Sequence, residues 1–370
     1  MRTFQFQIVI TEDCNLDCNY CYMNKNKNVM TKEVFEKHYQ MLPKLMENYG
    51  ADNYVAGYFG GEPLMNWNLI ELTAPLFLYD KKCSSSFLAT NGLALSPDRQ
   101  RYLEKNKVGI SISFDGLWNK YNRPLKSGIS SFEKYMELRN ILRIHSCKVM
   151  VSPNRSATMA ENYKWFVEEF DVPSPDFTLV RDDIWTNEDV ERFGEELTEL
   201  TDLNIKYIKA GKESLVGFYG LYFMDTWFGK RYGKRQHGCF AGRFGAGFMP
   251  DGKVYPCARF GSSCEYPIWD SLTGRKIEHN HNMFINPYIY DPHTYLECNE
   301  CSLFNYCNAG CTYSQLHYNT DKGREEICTP IPNVCKLFKM VYSEMSRIVD
   351  EVGETQTFKN IVYNIMRSLG

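Results

Sequence analysis

The chain opens on a short apolar run with strand character, Phe4–Ile10. Positions 31–48 then switch to helical spacing, with Val34, Phe35, Tyr39, Leu42, Leu45 and Met46 recurring on one face. A second strand, Tyr54–Phe59, runs into Gly60-Gly61, and a helix follows near 67–79. A third strand, Ser86–Ala89, enters Thr90-Asn91-Gly92. A fourth, Gly109–Phe114, stops at Asp115-Gly116. A helix over 130–144, a strand over Lys148–Ser152, a helix over 158–170 and a strand over Asp176–Val180 complete the alternation. Strands alternating with crossover helices predict an α/β fold whose parallel sheet is closed or partly closed, a partial (β/α)6 barrel. Polar and glycine-bearing motifs stand at the C-terminal ends of the strands, the edge where such barrels assemble chemistry.

The pattern changes after residue 180. Residues 181–237 read as a connector with helices near 187–209 and 215–228. Residues 238–335 are rich in Cys, Gly, Tyr and Asn and have few long periodic stretches, which suits a loop-rich module stapled by metal. Helices near 336–350 and 356–368 close the chain. The expected division is therefore 1–180, 181–237, 238–335 and 336–370.

Charge and composition narrow the function classes. A net charge of −3 favours neither nucleic acid nor an anionic membrane surface. No apolar run reaches the ~18 residues that span a bilayer. The N-terminal stretch reads as a first strand rather than a signal peptide, so a cytoplasmic location is expected. In a reducing cytosol, fourteen cysteines point to metal rather than to disulfides. Cys14, Cys18 and Cys21 sit together, Cys83 and Cys147 are isolated and read as buried apolar thiols, and the other nine lie between Cys239 and Cys335.

Cys14-Asn-Leu-Asp-Cys18-Asn-Tyr-Cys21-Tyr22 places three thiols on one loop directly after the first strand. A structural zinc site normally takes four ligands, and this loop has three. Three cysteines on a four-iron cubane leave one iron open to a small molecule. Cys-x3-Cys-x2-Cys followed by an aromatic residue resembles the signature of the radical S-adenosylmethionine (radical SAM) superfamily. Gly60-Gly61-Glu62-Pro63 resembles that family's GGEP motif, in which glycines let the backbone approach the ligand and Glu62 offers a carboxylate to the SAM ammonium. Thr90-Asn91-Gly92 and Ser113-Phe-Asp115-Gly116 are similar to its TNG and SxDG segments, so Ser113 is expected near the SAM carboxylate or ribose. Ser152 and Asn154 end the fifth strand, where family members often contact SAM. Tyr22 has two readings, a ring beside the adenine or a surface tyrosine on a loop. Arg123 is what remains of the family's His-Asp-x-x-Arg segment, with a structural role open to it.

The distal cysteines, Cys298-x2-Cys301-x5-Cys307-x3-Cys311 with Gly252-Lys-Val-Tyr-Pro-Cys257 upstream and Cys335 downstream, resemble the SPASM domain. That resemblance implies two auxiliary 4Fe–4S clusters besides the SAM-binding one. One would be held by Cys298, Cys301, Cys307 and Cys335, with Cys328 as the rival to Cys335. The other would be held by Cys239, Cys257 and Cys311, its fourth place taken by Cys264 or left open for a substrate thiolate. Zinc ribbons, the other reading of this module, use paired Cys-x2-Cys knuckles that do not fit the run.

The resemblance implies reductive cleavage of SAM to a 5′-deoxyadenosyl radical and hydrogen abstraction from a peptide. Anaerobic sulfatase-maturing enzymes, which make formylglycine, carry an Asp after the Tyr-Pro-Cys cysteine and a Gln before the GGEP motif. Here those positions are Ala258 and Phe59, and Asp270 or Glu265 would have to replace the base. The departures favour maturation of a ribosomally made precursor peptide through a thioether or carbon–carbon crosslink. A non-catalytic electron carrier is the third reading; the triplet with Gly60–Pro63 argues against it, since a carrier needs no SAM pocket. The implied partners are the precursor peptide and a flavodoxin- or ferredoxin-type electron donor. With the first barrel strand starting at Phe4, leader recognition is expected from the barrel edge, the connector or a separate leader-binding protein.

Overall fold

The computed structural model describes residues 2–217, 219, 239–285, 296–304, 307, 310–321 and 329–368. The chain divides into two compact units. The first is Met1–Ser113, Arg123–Arg143 and Cys239–Tyr290; the second is Phe114–Asn122, Ile144–Gly238 and Asp291–Gly370.

The first unit carries the first four expected strands: β1 (Thr3–Thr11), β2 (Asn53–Gly60), β3 (Cys83–Thr90) and β4 (Val108–Ser113). All pair in parallel in chain order, with Gln7 opposite Gly57 and Phe87 opposite Gly109. Crossover helices α1 (Lys32–Tyr49), α2 (Trp67–Tyr79) and α3 (Pro97–Lys105) separate them. Phe4, Phe6 and Ile8 of β1 are fully buried. Phe6 lies 6.2 Å from Phe77 of α2, which in turn meets Phe35 of α1 at 6.1 Å, so an aromatic cluster welds sheet to helices. Thr31 caps α1 by accepting from the Val34 N–H, and Gly50 ends it in the left-handed region.

α3 was not expected from the sequence. It is predominantly polar and buries only Gln100 and Leu103, so no apolar stripe announces it; its start is fixed by the Ser96 cap and Pro97. Conversely, the helix expected over 130–144 is shorter, α5 (Phe132–Arg139), and Ile141 just beyond it is 60% exposed.

The Cys-rich region does not stay apart from the sheet. Strand β7 (Gly245–Phe248) pairs in parallel with the free edge of β1, and β8 (Lys253–Tyr255), β9 (Trp269–Asp270) and β10 (Arg275–Lys276) extend it antiparallel. Within this unit the order is β10-β9-β8-β7-β1-β2-β3-β4. β7 approaches β1 this closely because Gly245, opposite Gln5, has no side chain: a Cβ there would stand 2.7 Å from the Gln5 Cβ.

The second unit begins with α4 (Asn119–Asn122) and continues the parallel α/β alternation with β5 (Cys147–Val151), α6 (Met159–Glu168), β6 (Asp176–Leu179) and α7 (Asn187–Lys209). α7 matches the helix expected over 187–209 and carries a capping box between Thr186 and Asp189. Its partner near 215–228 lies outside the described residues. The closing helices are Pro332–Val352 and Gln356–Ser368. Cys147 is buried, as expected. Cys83 is not: it starts β3 half-exposed, its thiol donating to the Ser85 carbonyl at 3.3 Å. A strand's first residue lacks the cover that its interior receives. Among the described residues, no helix is long and apolar enough to cross a membrane.

Candidate radical SAM site

The cysteine loop leaves β1 through a chain of local bonds. The Asp13 N–H donates to Thr11 Oγ1 at 3.2 Å, and the Cys14 N–H donates to Asp13 Oδ1 at 2.9 Å. Cys14 is buried; Cys18 is half-exposed and Cys21 exposed. The Cys14 sulfur accepts from the Leu16 N–H at 3.4 Å and faces Asn91 Nδ2 at 3.9 Å. Its thiol is pushed up to about 11, chiefly by burial, with Glu62, Cys18 and Cys21 adding to the rise. The three thiols thus share one electrostatic environment.

Gly60 and Gly61 stand beside this loop, for a reason the sequence did not disclose. The expectation was that they admit a ligand. In the structure their neighbour is the chain itself: a Cβ on Gly60 would lie 2.2 Å from the Thr11 carbonyl oxygen, and one on Gly61 2.3 Å from that of Asp13. The Gly61 N–H donates to Thr11 O at 2.9 Å and the Glu62 N–H to Asp13 O at 2.8 Å. Two glycines therefore let the end of β2 lie flat against the root of the cysteine loop.

Glu62 is fully buried. Its Oε1 accepts from the Leu64 N–H at 3.0 Å and Thr90 Oγ1 at 2.5 Å, and its Oε2 from the Asn91 N–H at 2.7 Å. Burial pushes its carboxyl up while these donors pull it back. The carboxylate's first task is thus to tie the ends of β2 and β3 together; one acceptor position on Oε2 remains beyond these bonds. Asn91, from the segment similar to the family's TNG, bridges to Asn15 Oδ1 at 2.6 Å and so belongs to the site.

A second support runs along the other side of the loop. Asp17 N–H donates to Pro124 O at 2.8 Å, Leu16 bridges Leu125, and Lys126 pairs with Asp13 at 2.9 Å, holding the Asp13 carboxyl low. Arg123, buried, places Nη1 4.0 Å from the Cys18 sulfur. Ser113 ends β4, its carbonyl accepting from Tyr135 Oη at 3.1 Å. The Tyr22 ring lies under the Arg259 guanidinium at 4.6 Å, and its carbonyl accepts from Ser262 Oγ at 3.1 Å. Ser152 belongs to the second unit, where its carbonyl accepts from the N–H groups of Arg155 and Ser156, each at 3.0 Å. Asp115, in the same unit, is structural: Oδ1 accepts from the Met150 N–H at 2.9 Å.

The distal cysteines are distributed over both units. Cys239, Cys257 and Cys264 lie in the first. Cys257 is buried, and Cys264 is exposed in a left-handed conformation ending the helix Ala258–Ser263. The Ala258 N–H donates to Gln7 Oε1 at 3.0 Å. Asp270 caps its own turn, accepting from the N–H groups of Leu272 and Thr273. In the second unit Cys298, Cys301, Cys307, Cys311 and Cys335 line one cavity of about 400 Å³ together with Phe338. Burial pushes Cys298 up to about 11 and Cys335 to about 12, with the neighbouring thiols adding to both. Cys328 lies outside the described residues.

Among the described residues, no three His, Cys, Asp or Glu side chains converge as they would on a single metal ion. A cubane does not require that: it spreads its thiolates over separate irons. Three thiols on one loop, electrostatically coupled, with N–H donors at the Cys14 and Cys18 sulfurs, fit such a cluster.

Residues 8–159 match the family model of the Radical SAM superfamily. The relatives differ in how much they share. The cyclopropyl synthase TigE of Paramaledivibacter caminithermalis is 30% identical over 152 residues, 37% of this chain and 32% of TigE, so the chain spans about a third of that protein. The serine-type anaerobic sulfatase-maturating enzyme of Bacteroides thetaiotaomicron is 23% identical across 96% of this chain and 92% of its own length. In fold, the chain follows anSMEcpe with bound AdoMet over 98% of both chains at TM-score 0.73 and 19% identity. It also follows Streptococcus suis SuiB bound to its precursor peptide SuiA over 89% of this chain and 76% of SuiB, at TM-score 0.52 and 15% identity.

Proposed function

We propose that the protein is a radical SAM maturase that abstracts hydrogen from a ribosomally made peptide and forms a thioether or carbon–carbon crosslink. The observation carrying this choice is Ala258. The position after Cys257 has no carboxylate, and its N–H is occupied by Gln7. A route to formylglycine needs a base to deprotonate the oxidised carbon's partner atom; a crosslink closed on a nearby thiolate does not. Of the two carboxylates that could substitute, Asp270 spends its Oδ1 on its own turn.

Cys14, Cys18 and Cys21 would hold the SAM-binding 4Fe–4S cluster, which would supply the electron that turns bound SAM into a 5′-deoxyadenosyl radical. The chain's own residues do the positioning. Gly60–Glu62 and Asn91 fix the loop from one side and Arg123–Lys126 from the other, so the ligand geometry is set before any cofactor binds. Cys298, Cys301, Cys307 and Cys335 would hold one auxiliary cluster in their cavity; Cys239, Cys257 and Cys311 would hold the other, with Cys264 or a substrate thiolate as the fourth ligand. Ser113, Ser152 and Tyr22 are assigned to SAM. The electron donor is of flavodoxin or ferredoxin type, the location cytoplasmic, and leader recognition falls to the barrel edge, to the 181–237 connector or to a separate protein.

The second reading, sulfatase maturation, is favoured by the near full-length likeness to the sulfatase-maturating enzymes. One experiment separates the two. Reduced, reconstituted protein is incubated with SAM and a sulfatase-type Cys peptide. The proposal expects 5′-deoxyadenosine without formylglycine; formylglycine at a useful rate would overturn it. No 5′-deoxyadenosine under any condition, with Cys14→Ala indistinguishable from the parent, would sink both enzyme readings.

A further inference from the structure

We infer that Arg123 is a positioning residue that sets the electronic environment of the Cys18 sulfur, making the cluster on Cys14, Cys18 and Cys21 easier to reduce. This rests on the proposal that those three cysteines hold the SAM-binding cluster.

Three observations place the guanidinium. Nη1 lies 4.0 Å from Cys18 Sγ, at the outer edge of an N–H···S contact. The guanidinium carbon lies 5.4 Å from the centre of the Tyr20 ring, between the second and third cysteines, a cation–π contact that orients the fork. The backbone behind it cannot swing. The Arg123 carbonyl accepts from Ser131 Oγ at 2.6 Å, and the next three residues run antiparallel to the cysteine loop through Asp17 N–H to Pro124 O, the Leu16–Leu125 bridge and Lys126 N–H to Asn15 O at 3.4 Å. The segment Arg123–Lys126 is a brace, and Arg123 is the residue of it that reaches a cluster sulfur.

The chemistry follows from charge and burial. Arginine stays protonated at all working pH values, and this one is 6% exposed. A fixed positive charge and an N–H donor at a thiolate sulfur stabilise the added electron more than the oxidised state, because reduction makes the cluster more negative. Low local dielectric strengthens the effect. Lys25 also lies near these thiols, paired to the exposed Asp17 carboxylate. Asn91 and the Leu16 N–H serve Cys14 in the neutral form of the same device.

The test uses full-length protein reconstituted with iron and sulfide. The N-terminal cluster is the one whose EPR signal changes when SAM is added. Arg123→Met keeps the aliphatic stem and removes charge and donor; Arg123→Lys keeps the charge and removes the fork. Iron per chain is measured first. An EPR-monitored reductive titration then gives the midpoint of the SAM-responsive signal. The expectation is unchanged iron in Arg123→Met with a reduction constant about tenfold smaller, about 59 mV lower for a one-electron couple, and Arg123→Lys between it and the parent. An unmoved midpoint in a fully loaded Arg123→Met overturns the inference. If Arg123→Met does not load, the Arg123→Lys midpoint decides: unmoved with full iron, Arg123 only braces. If the parent signal does not respond to SAM, the cluster assignment fails instead.

Discussion

The carboxylate of Glu62 accepts the main-chain N–H of Asn91 at 2.7 Å, locking the end of the second strand to the end of the third. Asn91 in turn reaches Asn15 and faces the Cys14 sulfur, so one buried carboxylate governs the cysteine loop at one remove. Glu62→Gln keeps the shape but sets an amide N–H2 against either the Asn91 N–H or the Leu64 and Thr90 donors. The orphaned donor costs about 2 kcal/mol. The variant is expected to unfold at lower denaturant and to bind SAM more than tenfold more weakly by calorimetry. Parent-like values on both would show that Glu62 is dispensable to the loop.

Gly61→Ala tests the close approach directly. Its Cβ would meet the Asp13 and Glu12 carbonyl oxygens at 2.3 and 2.6 Å, all backbone, so the loop must move. The expected result is an iron content lower by about one cluster per chain, with destabilisation of about 3 kcal/mol. Full iron loading would mean that the loop tolerates displacement.

His38 predicts a pH dependence. It is fully buried in α1, with Nδ1 2.6 Å from Ser271 Oγ and Nε2 2.9 Å from the Met249 carbonyl. A carbonyl only accepts, so Nε2 carries the proton and Nδ1 accepts from the Ser271 hydroxyl. Burial holds the ring down to about 4, against an ordinary value of 6.5. The unfolded chain therefore takes up this proton first as pH falls. The stability His38 contributes is full above pH 6.5 and is lost between 6.5 and about 4, reaching about 2 kcal/mol by pH 5. Urea unfolding at pH 7.5 and pH 5 checks it: His38→Gln should lose less between the two than the parent does. Equal losses would remove His38 as the cause.

The thiol-lined cavity makes a separable prediction. Cys335→Ala should cost about one cluster of iron per chain yet leave uncoupled 5′-deoxyadenosine formation within about threefold, because its cavity lies in the other compact unit from Cys14. Loss of SAM cleavage with the same iron loss as Cys14→Ala would contradict the assignment.

Much of this was readable in advance, and the parts that were not share a cause. Strands with alternating burial and long amphipathic helices are local patterns, so β1, α1, α2 and α7 fell where periodicity put them. α3 escaped because capping, not an apolar face, defines it. The cysteine triplet and Gly60–Glu62 were legible as chemistry. Their mutual contacts were not: that the glycines serve the Thr11 and Asp13 carbonyls, or that Asn91 is a member of the site, depends on which strand ends become neighbours.

The sequence by itself determined which ligands stand together on one loop, because their type and spacing are fixed by covalent order. It also determined the parallel α/β core, because period-two and period-3.6 patterns are written along the chain. Only the tertiary structure decided that β7 of the Cys-rich region joins β1, that Arg123 reaches Cys18 across more than a hundred residues, and that Gln7 holds the Ala258 N–H. Those outcomes depend on which backbones can approach within hydrogen-bond distance, a property of packed neighbours that no local pattern encodes.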